Sequence, residues 1–378
     1  MKALFLVFHG FEAYNGISKK IFNQVDGLKQ CGIDIKLSYL NIENHVHYRM
    51  VDDLEIENYG KNIFGKIKKR ICYKSLLKYV ETEKIELIYI RYVHNANPFL
   101  INFLKSVKRL RIKIVMEIPT FPYDHEYKGL PISFQINLLF DKCFRLRLIK
   151  YIDRIVTFSD HKQIWGCPTI QISNGINFSQ IKLKKENLYS TQLNLIGVAS
   201  IRRWHGYDRL INGLIDYYKQ ANPPVLIYFH IIGEGICEII NDLKKLTNAN
   251  GLDKYIIFYG PKYGNELDDL FELANIGVGS LARHRSSITN IKTLKNREYA
   301  ARGLPFIYSE FDDDFENKPY IYKVPADESP IDINKIIEFY KNFNIDPKSI
   351  RVSIEDSLSW KVQMHKLINQ IYNDFNNI

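Results

Sequence analysis

The chain is 378 residues long, and its 46% hydrophobic and 25% charged residues exclude a disordered or fibrous protein. That length gives about two to three domains with sizeable cores. The formal net charge of +10 is uneven: residues 1–185 hold 30 Lys and Arg against 17 Asp and Glu, and residues 186–378 hold 22 against 25.

In chain order, Ala3–Phe8 reads as a buried first strand. Its apolar run stops at His9-Gly10 with no small-residue cleavage site, unlike a leader peptide. A helix over Ile17–Gln30 and a strand over Asp34–Leu40 follow, then a helix over Phe64–Glu83 and a strand over Leu87–Arg91. The first half continues with a helix over Pro98–Leu110, a strand over Lys113–Glu117, a helix over Ser133–Lys150, and strands over Arg154–Phe158 and Thr169–Ile172. The Lys-rich stretch Ile181–Thr191 reads as a linker. The rhythm then restarts with strands at Leu193–Ala199, Val225–Ile232, Ile256–Tyr259, Ile276–Ser280 and Pro305–Tyr308. Helices lie between and after them near Gly206–Gln220, Ile236–Asn248, Asn265–Leu273 and Leu294–Arg302. Apolar strands alternating with helices predict parallel sheets covered on both faces. The expected plan is α/β: two doubly wound, Rossmann-like domains, 1–185 and 186–357, with ligands at the carboxyl ends of the strands in a cleft between them. A C-terminal helix in 358–378 is expected to pack back on the first domain.

The cysteines Cys31, Cys72, Cys143, Cys167 and Cys237 are widely spaced and never form C-x-x-C. This argues against a disulfide framework or a zinc site and for a cytoplasmic protein. No run of 18 uncharged apolar residues exists, so no spanning helix is expected. The basic first half suits an anionic partner, either a phosphorylated substrate or an anionic membrane surface. No nucleic-acid motif accompanies it, so nucleic acid is not expected as a partner. Basic and apolar residues interleave at helical spacing in Phe64–Val80 and Phe134–Ile152, as a peripheral membrane contact requires; ordinary helices packed on the sheet read the same way.

Several short motifs stand at strand ends. The first strand-to-helix turn contains Asn15-Gly16, where a glycine lets backbone N–H groups approach an anion or a sugar. At the mouth of the second domain's first helix stands Arg202-Arg203-Trp204-His205-Gly206-Tyr207-Asp208. Fixed cations beside a helix N-terminus suit a diphosphate leaving group. Glu298 lies early in a later helix that ends at Gly303-Leu304-Pro305, where a carboxylate can accept hydrogen bonds from two ribose hydroxyls.

In this order and spacing, the pieces resemble the GT-B-fold glycosyltransferases of retaining family 4, the "glycosyl transferases group 1" type. The resemblance spans nearly the whole chain. It rests on Asn15-Gly16, Ser173-Asn174-Gly175-Ile176-Asn177, Trp204-His205-Gly206-Tyr207-Asp208, Ile231-Ile232-Gly233-Glu234-Gly235, Ala274-Asn275-Ile276-Gly277-Val278 and Arg297-Glu298-Tyr299-Ala300-Ala301-Arg302-Gly303-Leu304-Pro305. The last piece, with Leu294-Lys295, is similar to the branch that builds bacterial capsule, O-antigen and exopolysaccharide repeats.

The resemblance implies a nucleotide-sugar donor, a glycan or polyprenyl-linked acceptor, retention of anomeric configuration, and neither metal nor cofactor. Glu298 matches the second glutamate of the family's E-x7-E motif, which binds ribose; Asn290 stands where the first would be. His205 takes the place of the family's phosphate-binding lysine, with Arg202, Arg203 and Lys295 as further cations. Gly16 and Gly233 fall on the donor-binding loops. Pro119 replaces a histidine at the end of the first domain's fourth strand, leaving Arg91, Glu117 and Asp124 as acceptor-side candidates. The D-x-D in Asp312-Asp313-Asp314, a metal motif of the other glycosyltransferase fold, follows the last strong strand and reads as a solvated acidic loop. Two alternatives share this resemblance: a nucleotide-sugar epimerase, which needs no acceptor, and a non-catalytic nucleotide-sugar-binding partner subunit.

Overall fold

The computed structural model describes residues 1–376 apart from 13–15, 128–130, 186–191 and 289; Asn15 and the C-terminal half of the expected linker lie outside the described residues. Residues Met1–Ser173 with Trp360–Ile378 form one compact unit, and Asn174–Ser359 form the other. The division thus falls at Ser173/Asn174, not at 185/186. Segment 174–184 is tied into the second unit by backbone bonds from Ile176 to Leu358 and from Lys184 to Arg302. The Arg351 guanidinium also donates to the Phe178 and Ile181 carbonyls.

The first unit runs β1 (Lys2–Leu6), α1 (Gly16–Gln30), β2 (Asp34–Glu43), β3 (Val46–Val51), β4 (Leu54–Lys61), α2 (Asn62–Ile71), α3 (Lys74–Thr82) and β5 (Leu87–Arg91). It continues with α4 (Pro98–Arg109), β6 (Lys113–Ile118), α5 (Ile132–Leu148), β7 (Arg154–Thr157), β8 (Gln163–Ile164) and β9 (Cys167–Gln171). Among the described residues its sheet has the order β4-β3-β2-β1-β5-β6-β7-β9-β8. The centre is parallel, and β3, β4 and β8 pair antiparallel at the edges. Every residue of β5 is buried, as a strand covered on both faces requires.

The β3–β4 hairpin has no counterpart in the expected elements. It turns at Asp52-Asp53, with Asp52 left-handed (φ 50°), and the β2–β3 turn before it is Asn44-His45, both left-handed (φ 49° and 64°); neither turn has the glycine that marks such turns. The single helix expected over Phe64–Glu83 is two helices, α2 and α3, because Cys72 turns extended and the ring of Tyr73 buries itself against Phe103.

The second unit runs β10 (Gln192–Val198), α6 (Tyr207–Tyr218), β11 (Leu226–Ile232), α7 (Cys237–Ala249), β12 (Ile256–Gly260), α8 (Asn265–Leu273) and β13 (Ile276–Val278). After these come α9 (Leu294–Arg302), β14 (Phe306–Tyr308), β15 (Ile321–Lys323), α10 (Ile333–Lys341) and α11 (Pro347–Leu358). Its strands are all parallel in the order β12-β11-β10-β13-β14-β15. In sequence rank this is 3-2-1-4-5-6, the doubly wound order, whose topological switch point lies between β10 and β13. Helix α12 (Trp360–Asn376) packs on α1, where a Cβ at Gly27 would stand 2.9 Å from the Trp360 carbonyl. A side chain at position 27 would push the two helices apart, so Gly27→Leu should lower the Tm by several degrees in a thermal melt, an overpacking cost of about 1–3 kcal/mol.

Candidate active site

At the switch point of the second sheet, β10 runs out through Val198–Ile201 into a 3-10 turn, Arg203–His205, that leads to α6. Two glycines set the path of this turn. A Cβ on Gly233 (φ 123°) would lie 1.9 Å from the Ala199 carbonyl, and one on Gly235 would lie 2.3 Å from the Ile201 carbonyl. The Gly233-x-Gly235 pair thus lets the end of β11 close against the 199–201 backbone. Gly206 (φ 63°) supplies the left-handed turn into α6, and a Cβ there would meet Ala282 at 2.9 Å.

His205 is held in this turn with its Nδ1 accepting the Arg202 backbone N–H at 2.9 Å. Burial pushes its pKa well below the ordinary value, and Lys295, Arg283 and Arg202 push it further in the same direction. The ring is therefore neutral, and its proton sits on Nε2, which is left as a donor. Lys295, on the first turn of α9, buries its Nζ beside the Tyr207 ring, 6.0 Å from the centroid. Burial also pushes its pKa down, opposed by Glu310 and aided by Arg283. Arg283 stacks over Trp204, with its guanidinium carbon 5.1 Å from the ring centroid. Expected residues Arg202, His205 and Lys295 thus come together, joined by Arg283 and Glu310, which the motif reading does not contain. Their only sequence signal is a charged residue one to five positions beyond a buried strand.

The other donor-side candidates are placed differently. The Arg203 side chain is exposed, and its carbonyl accepts from Arg285. Glu298 is half-buried with Oε1 taken by Arg302 (2.9 and 3.1 Å), which reaches on to Asp268. Asn290 pairs its backbone with Phe311, and its buried Oδ1 has no partner. Gly16 opens α1 in the first unit with nothing within 4 Å of its Cβ position.

Asp312 is not in a solvated loop. It is fully buried, and its carboxylate takes a two-pronged ion pair from the equally buried Arg297, at 2.7 and 2.9 Å. Arg297 also grips Asp314 and the carbonyls of Asn174 and Thr293. A buried guanidinium needs this counter-charge, which explains an acidic run at that point. Among the described residues no group of three or more His, Cys, Asp or Glu is arranged to hold a metal.

In the first unit, Glu117 on β6 is completely buried and takes contacts from Gln24 (2.6 Å), Tyr89 (2.5 Å), Lys20 (3.1 Å) and Arg91. Burial alone would raise its pKa, but Lys20 and Arg91 with the two hydrogen bonds bring it down to about 2. Its contacts give it a positioning role: it fixes Arg91 at the end of β5. Asp124 sits apart from this pair, bound to Arg145 (2.9 Å) and Lys142 (3.0 Å). Between them lies His94, which the motif reading missed although it follows a buried strand. It stacks on Tyr123 at 3.6 Å, and burial with Arg91 and Arg145 lowers its pKa to about 3 against the pull of Asp124.

No family model matches the sequence, and no curated protein sequence matches it. Solved structures do. Sucrose-phosphate synthase from Thermosynechococcus elongatus is 14% identical, with a TM-score of 0.68 over 100% of this chain and 99% of that one. A glycosyltransferase from Rickettsia africae is 13% identical, with a TM-score of 0.63 over 99% and 98%. The Anabaena protein HepE in complex with UDP-glucose is 14% identical, with a TM-score of 0.63 over 99% and 100%. The fold is GT-B.

Two outcomes test the roles assigned to the buried carboxylates. Glu117→Gln leaves Lys20 and Arg91 uncompensated and should cost about 3–5 kcal/mol at pH 7. A depressed carboxylate pKa stabilises above its ordinary 4.5 and loses that effect as pH falls towards about 2, so urea unfolding at pH 3 should show a smaller deficit. Asp312→Asn should lower the Tm by several degrees whether or not Mn²⁺ is added; a Mn²⁺ stabilisation abolished by this substitution would assign the carboxylates to a cation.

Proposed function

We propose that the chain is a glycosyltransferase of the family 4 type. In this reading it moves a sugar from a nucleotide-sugar donor to a hydroxyl of a lipid-linked or oligosaccharide acceptor in cell-surface polysaccharide assembly, with retention and without a metal. The observation that carries the reading is the convergence of Arg202, His205, Arg283 and Lys295 at the switch point of a doubly wound sheet. The solved HepE complex, with UDP-glucose bound in the same fold, supports a nucleotide-sugar donor. The ordered motif set supports the family and the capsule or O-antigen branch.

Breaking the anomeric bond to a nucleoside diphosphate develops negative charge on the β-phosphate. Preorganised donors in a desolvated site stabilise that charge without reorganisation. The Nε2–H of His205, Lys295 and the two arginines are such donors, and they stand where a metal would otherwise serve. The departing phosphate then takes the acceptor proton on the same face of the sugar. Glu298 holds the ribose hydroxyls through Oε2, with Arg302 fixing Oε1. In the first unit, Arg91, His94 and Asp124 serve the acceptor.

A peripheral contact with an anionic membrane on the cytoplasmic face belongs to the same reading. No described helix is long and apolar enough to cross a membrane. Two helices of the first unit carry large apolar side chains on their open faces, beside lysines and arginines. On α2 these include Phe64, 78% exposed, with Ile63 and Ile67; on α5 they include Ile132, 77% exposed, with Leu139 and Phe140. Of the apolar residues in the two interleaved stretches, Ile67 lies on the open face, while Leu76, Leu138 and Leu148 pack inward.

Glu298→Ala should weaken both the nucleotide sugar and the free nucleoside diphosphate by about ten- to a hundredfold in calorimetry. His205→Ala should instead lower kcat and kcat/KM together with donor binding nearly unchanged, since its hydrogen bond strengthens as charge develops. Full turnover in both folded variants would move the donor site elsewhere. Activity should survive excess EDTA.

Co-sedimentation with vesicles rich in anionic lipid should fall as salt rises and should drop for Phe64→Glu. Equal binding to neutral vesicles would count against the contact.

A further inference from the structure

Segment 310–316, just past β14, carries five acidic side chains, and four of them have a cation. Asp312 and Asp314 share Arg297, Asp313 pairs with Lys292 at 3.5 Å, and Glu316 pairs with Lys323 at 2.8 Å. Glu310 does not. It is 2% exposed, and neither carboxylate oxygen has a hydrogen-bond partner.

Its neighbour Lys295 is in the same condition, with a buried Nζ that donates to nothing. Each acts electrostatically on the other, and Arg283 acts on both, so the three charges are near neighbours. Yet no ion pair within 4.0 Å joins Lys295 to Glu310. The backbone pins Glu310 there, because Lys323 donates to its carbonyl and the next residue, Phe311, pairs with Asn290–Ile291.

Opposite charges buried side by side without closing on each other suit a ligand that brings both donors and an anion. A phosphate alone would be repelled by the carboxylate, and a divalent cation by the lysine and the arginine. Hydroxyls next to a phosphate satisfy both sides. That combination is a glycosyl phosphate.

We propose that the Glu310 carboxylate holds the transferred sugar of the donor by accepting hydrogen bonds from its hydroxyls, while Lys295 takes the adjoining phosphate. The inference rests on the donor-site reading above and adds to it the residue that selects the sugar. Asn290, whose buried Oδ1 also lacks a partner, borders the same subsite through the backbone of Phe311.

The test separates sugar from diphosphate. Wild-type protein is titrated calorimetrically with UDP-glucose, GDP-mannose and ADP-glucose, and with UDP, GDP and ADP. Glu310→Gln should weaken the bound nucleotide sugar tenfold or more. It should leave the matching nucleoside diphosphate unchanged or tighter, because the carboxylate no longer draws on Lys295. Glu310→Asp keeps the charge but withdraws it by one methylene; it should show a smaller loss of the same selectivity, and it carries the test if the Gln variant does not fold. Equal weakening of sugar nucleotide and diphosphate, or no change in either, overturns the role of Glu310 and leaves the donor site standing. Wild-type protein that binds none of the six ligands overturns the donor site itself.

Discussion

The second unit depends on one guanidinium. Arg297 is completely buried in α9 and grips Asp312, Asp314 and the carbonyls of Asn174 and Thr293. With one side chain it ties together the start of the unit, the N-terminus of α9 and the loop after β14. A buried arginine is tolerable only when charge and geometry are both matched, and the planar fork on Asp312 meets both conditions. Lys295 and Glu298 lie within two residues of Arg297 on α9, and Glu310 lies two residues before Asp312. The donor-side groups are thus carried by the elements that this pair locks in register.

The first unit repeats the device with the signs exchanged. Glu117, buried on β6, draws Lys20 from α1, Arg91 from β5, and Tyr89 and Gln24 around a single carboxylate. The β1–β5 boundary is this sheet's switch point, and the strand-end group there, Arg91, is positioned by a charge that itself has no vacant face. In both units the permanent ion clusters are inside and fully paired, while residues offered to a ligand stand one step outside them. That separation lets the site carry incompletely satisfied groups on a rigid support.

Much of the fold was legible in the residues because parallel strands are continuous apolar runs. Leu87–Arg91, Lys113–Ile118 and Leu226–Ile232 need no context to be read. The β3–β4 hairpin was not, since its residues are half polar and its turn is Asp52-Asp53 instead of a glycine dipeptide. Helices α10 and α11 also escaped, although Asp332 and Asp346 cap them and Pro347 opens the second. Their apolar faces pack on α6 and α9, helices far earlier in the chain. Within the site, His205, Arg202 and Lys295 follow from motif order. Arg283 and Glu310 do not, because their meaning lies in which charges surround them. Asp312 shows the same limit: its partner lies 15 residues earlier and turns an apparently solvated acidic run into a buried ion pair.

The neutrality of His205 follows from this arrangement and shapes what the site can bind. Arg202, Arg283 and Lys295 together exceed the single charge of Glu310, and a fourth cation in the same desolvated volume would meet repulsion from all three. The imidazole therefore gives up its extra proton and offers only an N–H, a donor that adds no net charge. Burial pushes Lys295 down and Glu310 up, so both charges are costly while they lack partners. A diphosphate reverses the balance for the lysine, and sugar hydroxyls reverse it for the carboxylate. The ligand that relieves both at once carries the two groups adjacent to each other, as they are across the anomeric bond.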